Sequence, residues 1–111
     1  MSAPNFVILY VENPEKSAAF YADLLGLPPV ESSPNFAMFA PAEGVMFGLW
    51  GRHDVEPKAL AAGGGTELGF TLAGRDAVVA RHAEWSGRGL PIAQAPCEMD
   101  FGFTFVALDP D

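Results

Sequence analysis

A chain of 111 residues, half of them apolar, suits one domain, since a chain near this size buries roughly 65% of its unfolded surface. Fourteen acidic residues against six basic ones leave a formal charge of −8, which repels phosphate backbones, so nucleic acid is not an expected partner. The apolar runs are only strand length and no signal peptide is visible, so no membrane partner is expected either, and the single Cys97 excludes an intrachain disulfide framework and fits a reducing, cytoplasmic setting.

In chain order, residues 6 to 12 alternate two apolar sets, Phe6/Ile8/Tyr10 and Val7/Leu9/Val11, which predicts a central strand buried on both faces. Asn13 can cap a helix with Pro14 at its first position, where the missing N–H costs nothing. Ser17, Phe20, Tyr21 and Leu24 recur at helical spacing, and Gly26 stops the helix. Pro28-Pro29 forces extended backbone, and short strands are expected near 30 to 33, 36 to 40 and 45 to 50. Residues 51 to 65, with Gly51, Pro57, an Ala-rich stretch and Gly63-Gly64-Gly65, read as a linker. The glycine triplet lacks the following Lys-Ser/Thr and helix that a phosphate cradle needs. Beyond it a strand over 66 to 72, a helix near 75 to 86 and strands near 91 to 96 and 101 to 108 are predicted, ending at Asp109-Pro110-Asp111.

The second half repeats the first. With Phe6 set opposite Glu67, Ala19 meets Ala80, Ala22 meets Ala83, Asp23 meets Glu84, Leu24 meets Trp85 and Gly26 meets Gly87. After a one-residue slip, Pro29-Val30 meets Pro91-Ile92, and Phe36-Ala37-Met38 answers Phe103-Thr104-Phe105. The order of these matches makes two copies of one unit, module one over about 5–50 and module two over 66–111, joined by the linker 51–65. By the repeat, a counterpart of Gly44 and of the strand Val45 to Trp50 is due after Asp111. Either that strand is absent or it lies past the residues given.

Leu9-Tyr10-Val11, Asn13-Pro14, Ser17, Phe20-Tyr21 and Leu24-Leu25-Gly26, with the late Asp109-Pro110-Asp111, resemble the glyoxalase, bleomycin-resistance and dioxygenase superfamily. Phe36-Ala37-Met38-Phe39 with Val45-Met46-Phe47-Gly48-Leu49-Trp50 is most similar, within it, to small phenazine-resistance proteins. The resemblance implies an α+β fold in which two βαβββ modules form a half-open mixed β-barrel. In metal-binding members, ligands stand on the first strand of each module and on the last. Those positions map here onto Phe6, Gly48 and Glu67, the fourth falling past Asp111. A ring and a bare backbone donate no electron pair to a divalent ion, which needs converging carboxylate or imidazole donors and a vacant position for substrate. No metal or other cofactor is therefore expected. The alternative is a metal-dependent glyoxalase or extradiol-dioxygenase enzyme, with Glu67 as one ligand of Fe, Mn, Ni or Zn and the others supplied elsewhere. Glu67 has two further readings, a pocket residue receiving an amine or hydroxyl and an exposed or Arg-paired strand end.

His82 shares helical spacing with Val78 and Trp85 and reads as a partly buried helix residue, and Trp85 as core. His53 sits just past a strand end, where a solvated loop and a pocket mouth are both open. Cys97 has no local activating group and reads as packing. What stands out is aromatic and sulfur content on strands: by alternation Phe36/Met38, Met46/Gly48/Trp50 and Phe101/Phe103/Phe105 each share a face. They fill a core or line a cavity. Aromatic planes with adaptable Met side chains suit a flat polycyclic ligand, and Gly48 leaves room for a ring to approach the backbone. The expected ligand-binding residues are Trp50, which ends a strand, with Met46, Gly48, Met38, Phe101, Phe103, Phe6 and Glu67, and no catalytic residue is assigned. The expected function is sequestration of a planar aromatic antibiotic such as a phenazine between two copies of the chain. A homodimer would also cover a sheet edge left unpaired by the missing strand.

Overall fold

The computed structural model describes residues 3–61 and 63–111, so position 62, in the Ala-rich part of the expected linker, lies outside the described residues. Two compact units divide the chain. One takes in the residues up to Thr66 together with Pro110–Asp111, and the other runs over Glu67–Asp109.

The first unit contains β1 (Phe6–Val11), α1 (Pro14–Leu25), β2 (Glu31–Ser32), β3 (Phe36–Ala42) and β4 (Val45–Gly51). Its helix is set by local chemistry at both ends. The Asn13 side chain accepts a hydrogen bond from the Lys16 N–H at 3.2 Å, Pro14 occupies the first turn, and Gly26 closes the helix in a left-handed conformation, φ 71°, that a side chain would disfavour. The strands form one mixed sheet in the order β1-β4-β3-β2, with β1 parallel to β4 and the other neighbours antiparallel.

Helix α1 covers one face of this sheet. Ser17, Ala18 and Tyr21 are buried on the helix, and Val11, Ala37, Phe39, Phe47 and Leu49 on the strands, with Phe39 and Leu49 wholly removed from solvent. Tyr21 meets the Phe47 ring edge-on at 4.9 Å. The alternation along β3 and β4 therefore sends one set of side chains to the helix and the other to the opposite face.

The expectation of a doubly buried central strand at residues 6 to 12 is corrected. Among the described residues β1 has one neighbour, β4, and stands at the edge of the sheet, and Phe6, Val7, Ile8 and Tyr10 are each more than two-fifths exposed. Both of its apolar sets are real, but only Val11 is fully enclosed.

The second unit contains α2 (Arg75–Gly87), β5 (Ile92–Met99) and β6 (Gly102–Ala107), the strands forming an antiparallel hairpin. The strand expected over 66 to 72 does not form. A strand is defined by its ladder, and in the first unit β1 obtains one from β4, whose counterpart is not among residues 67–111. The segment is instead held by side chains: Leu68 and Leu72 are half-buried and the Phe70 ring meets Trp85 edge-on at 5.7 Å. Trp85 is the buried centre of this unit and also touches Phe105 at 5.5 Å, while His82 lies against Phe105 at 5.2 Å, so both take the helix-packing roles expected of them.

Candidate functional site

The face of the first sheet turned away from α1 is aromatic, and the register gives its plan. Side chains of laterally paired residues point the same way. Phe6 pairs with Met46. Ile8 pairs with Gly48, which pairs with Met38, which pairs with Glu31, and Tyr10 pairs with Trp50, which pairs with Phe36. Three rows across four strands thus carry Phe6, Ile8, Tyr10, Phe36, Met38, Met46 and Trp50 on one side of the sheet, with Glu31 at its far edge.

Trp50 stands between two rings. Tyr10 meets it edge-on at 6.3 Å and Phe36 at 6.4 Å, and each such pair contributes about 0.5–1.5 kcal/mol beyond area burial. Trp50 remains half-buried. One row away, Gly48 is a floor over which two rings converge: a Cβ built there would lie 3.0 Å from the tip of the Phe36 ring and 3.1 Å from the Phe6 ring. The space that Gly48 was expected to leave for a ligand ring is thus taken, in the described structure, by the protein's own Phe6 and Phe36. Both rings border solvent, Phe6 being 43% exposed and Phe36 half-buried.

Five of the expected ligand-binding residues, Trp50, Met46, Gly48, Met38 and Phe6, come together on this face. The other three belong to the second unit. Phe101 was expected to share a strand face with Phe103 and Phe105. Instead it lies in the turn between β5 and β6, 80% exposed, because the ladder resumes only at Gly102, whose φ of 139° bends the chain there. Phe103 is on β6 with its ring under the Arg75 guanidinium, 4.0 Å from the ring centroid, which places it toward the start of α2. Glu67 is exposed, in the segment without a ladder. Sequence reasoning grouped Phe6 with Ile8 and Tyr10 and, separately, Met46 with Gly48 and Trp50. What it missed was the parallel pairing of β1 with β4 that joins the two groups.

A polar cluster lies at the end of the β1 and β4 strands. The Glu12 carboxylate pairs with Arg52 at 3.3 Å and lies 2.6 Å from the His53 Nε2, which makes His53 part of an exposed polar group. The Glu12 N–H donates to the Asp111 carboxylate at 2.9 Å, and the buried Ser17 hydroxyl donates to its other oxygen at 3.2 Å. No cue in the sequence links Asp111 to Ser17. A surface depression lined by Ala73, Gly74, Arg75, Asp76 and Ala77 belongs to the loop that opens α2 and contains none of the expected aromatic residues.

Two of the positions at which the resemblance implies metal ligands, Phe6 and Gly48, offer no donor side chain. Phe6 and Gly48 do converge on one face, but as a ring over a backbone, with Phe36 between them and no donor atom on any of the three. Glu67 belongs to the second unit. Among the described residues no three His, Cys, Asp or Glu side chains form a group that could hold an ion. Among them too, no helix is long and apolar enough to cross a membrane.

Residues 3–111 match the Glyoxalase/Bleomycin resistance protein/Dioxygenase superfamily. The phenazine antibiotic resistance protein EhpR of Enterobacter agglomerans is 29% identical over 97% of this chain and 84% of its own length. The solution structure of protein ATC0852 from Agrobacterium tumefaciens is 50% identical, with a TM-score of 0.88 over 99% of this chain and 90% of that one. A glyoxalase-related enzyme from Fulvimarina pelagi, 17% identical, shares the fold with a TM-score of 0.81 over 99% of this chain and 82% of that one. With an α+β architecture, a βαβββ first unit and a match over nearly its whole length, the chain belongs to the Glyoxalase/Bleomycin resistance protein/Dioxygenase superfamily.

Proposed function

We propose that this protein binds a planar aromatic compound of the phenazine class on the β1-β4-β3 face, without a metal, and acts in the cytoplasm as a sequestering protein rather than a catalyst. The observation that carries the reading is the row Tyr10-Trp50-Phe36 beside the Phe6 and Phe36 rings over Gly48. A flat ligand gains most from stacking surfaces held at fixed spacing, and Met38 and Met46 beside them can adjust to its outline. The named function of the Enterobacter agglomerans relative supports the ligand class. Two copies of the chain enclose the ligand, because one open sheet face covers only one side of a flat molecule.

The protein has two tryptophans, one in each unit. In a Trp85→Phe background, phenazine should quench Trp50 emission and saturate, and Trp50→Ala should weaken binding measured by equilibrium dialysis about tenfold or more, as expected for a central aromatic contact. Absence of quenching at high micromolar phenazine would sink the ligand class. Stoichiometric Fe, Mn, Ni or Zn in the purified protein would sink the metal-free reading, and a monomer in sedimentation with ligand present would sink the enclosed dimer.

A further inference from the structure

The aromatic face has one charged residue in its three rows. Glu31 is carried into it by the register, opposite Met38, at the end of the row Ile8-Gly48-Met38-Glu31. Paired residues point to the same side, so the Glu31 side chain shares the face with Met38 and with the rings over Gly48. It stands two inter-strand steps from Gly48, roughly 10 Å, a span comparable to three fused six-membered rings.

Two further observations give this carboxylate a direction. The Glu31 carboxylate has no hydrogen-bond or ion-pair partner among the described residues, whereas Glu12, Glu84 and Glu98 are each engaged by an arginine. The three rows contain no cation, and the whole chain has a formal charge of −8. The π faces of Phe6, Tyr10, Phe36 and Trp50 are themselves electron-rich surfaces that attract positive charge.

We infer that the face selects planar aromatic cations, or planar aromatics with an ammonium substituent at one end, and that Glu31 is the residue that reads the charge. The inference rests on the aromatic-ligand reading above and adds the charge class of the ligand. The rings supply stacking that any flat molecule would use. Glu31 supplies the discrimination, attracting a cation and repelling a carboxylate at the same end.

The test is equilibrium dialysis of the full chain at low ionic strength against three probes of the same shape: neutral phenazine, a phenazinium cation and phenazine carboxylate. The cation should bind more tightly than neutral phenazine, and the carboxylate more weakly. Glu31→Gln should cut the preference for the cation by roughly two- to fivefold, the range for one exposed charge pair, and leave neutral phenazine unchanged. Glu15→Gln, which removes the same charge from α1, should leave the preference as it is. A cation preference that survives Glu31→Gln, or falls equally in Glu15→Gln, assigns the effect to net charge and overturns the role of Glu31. Equal binding of cation and neutral phenazine overturns the inference alone. Binding of none of the three overturns the aromatic-ligand reading and the inference with it.

Discussion

Removing the Asp111 carboxylate tests whether a contact between residues far apart in the chain holds the first unit together. Asp111 accepts from the Glu12 N–H at 2.9 Å and from the Ser17 hydroxyl at 3.2 Å. The two bonds are not equivalent. The Glu12 N–H is in an exposed turn where water can replace the carboxylate, so its loss costs about 0.5–1 kcal/mol. Ser17 is 1% exposed, and a buried hydroxyl deprived of its partner costs about 1–3 kcal/mol. Loss of these two bonds in Asp111→Ala should therefore destabilise the first unit by about 1.5–4 kcal/mol. Ser17→Ala removes the hydroxyl together with its need for a partner and should cost about 1 kcal/mol. The double variant leaves no buried hydroxyl without a partner and should be less destabilised than Asp111→Ala, with a coupling energy of about 1–2 kcal/mol, in the range for residues in direct contact. Urea unfolding followed by Trp50 fluorescence in a Trp85→Phe background reads the first unit, and linear extrapolation gives the three differences. Additivity within about 0.3 kcal/mol would refute the assignment, because the two side chains would then not be exchanging a bond.

Two further substitutions test the sheet. In Gly48→Ala the new methyl meets the outer atoms of the Phe36 and Phe6 rings at 3.0–3.2 Å. Strand stability gained, about 0.5–1 kcal/mol, is offset by about 0.5–1.5 kcal/mol for turning the rings off their rotamers. The midpoint of thermal unfolding should stay within a few degrees of wild type while phenazine binding changes, and a loss above roughly 2 kcal/mol would show that the rings cannot yield. Phe39→Ala, at a wholly buried position under α1, should cost about 3–5 kcal/mol in urea unfolding, and a loss under 1 kcal/mol would place the core elsewhere.

Helix α1 was readable because its signals are local: Asn13, Pro14 and Gly26 each act on the backbone next to them. The strand order was not, because the apolar alternation of residues 6 to 11 is the same whether the second face is buried by a neighbouring layer or left open as an aromatic surface. Only the place of β1 at the sheet edge and the exposure of Phe6, Ile8 and Tyr10 distinguish the two. The segment from Glu67 to Leu72 has strand-like residues but no ladder, since pairing depends on a second strand that local sequence does not report. Phe101 was misplaced for a simpler reason: period-two counting does not survive a turn, and the turn ends at Gly102. The place of Trp50 near a strand end and of the small residue at position 48 beside it was legible. That the neighbouring rings come from β1 and β3 was a matter of topology.

The packing of Phe6 and Phe36 on Gly48 makes this surface hard to convert, one substitution at a time, into an ion-binding one. A donor side chain introduced at position 48 would first collide with ring carbons at 3.0–3.2 Å, and a donor introduced at position 6 would still lack a second ligand beside it. Position 36 would have to be cleared as well. Each single step sacrifices ring contacts before any coordination bond can form, so the three positions are coupled, and an ion site there would require changing them together.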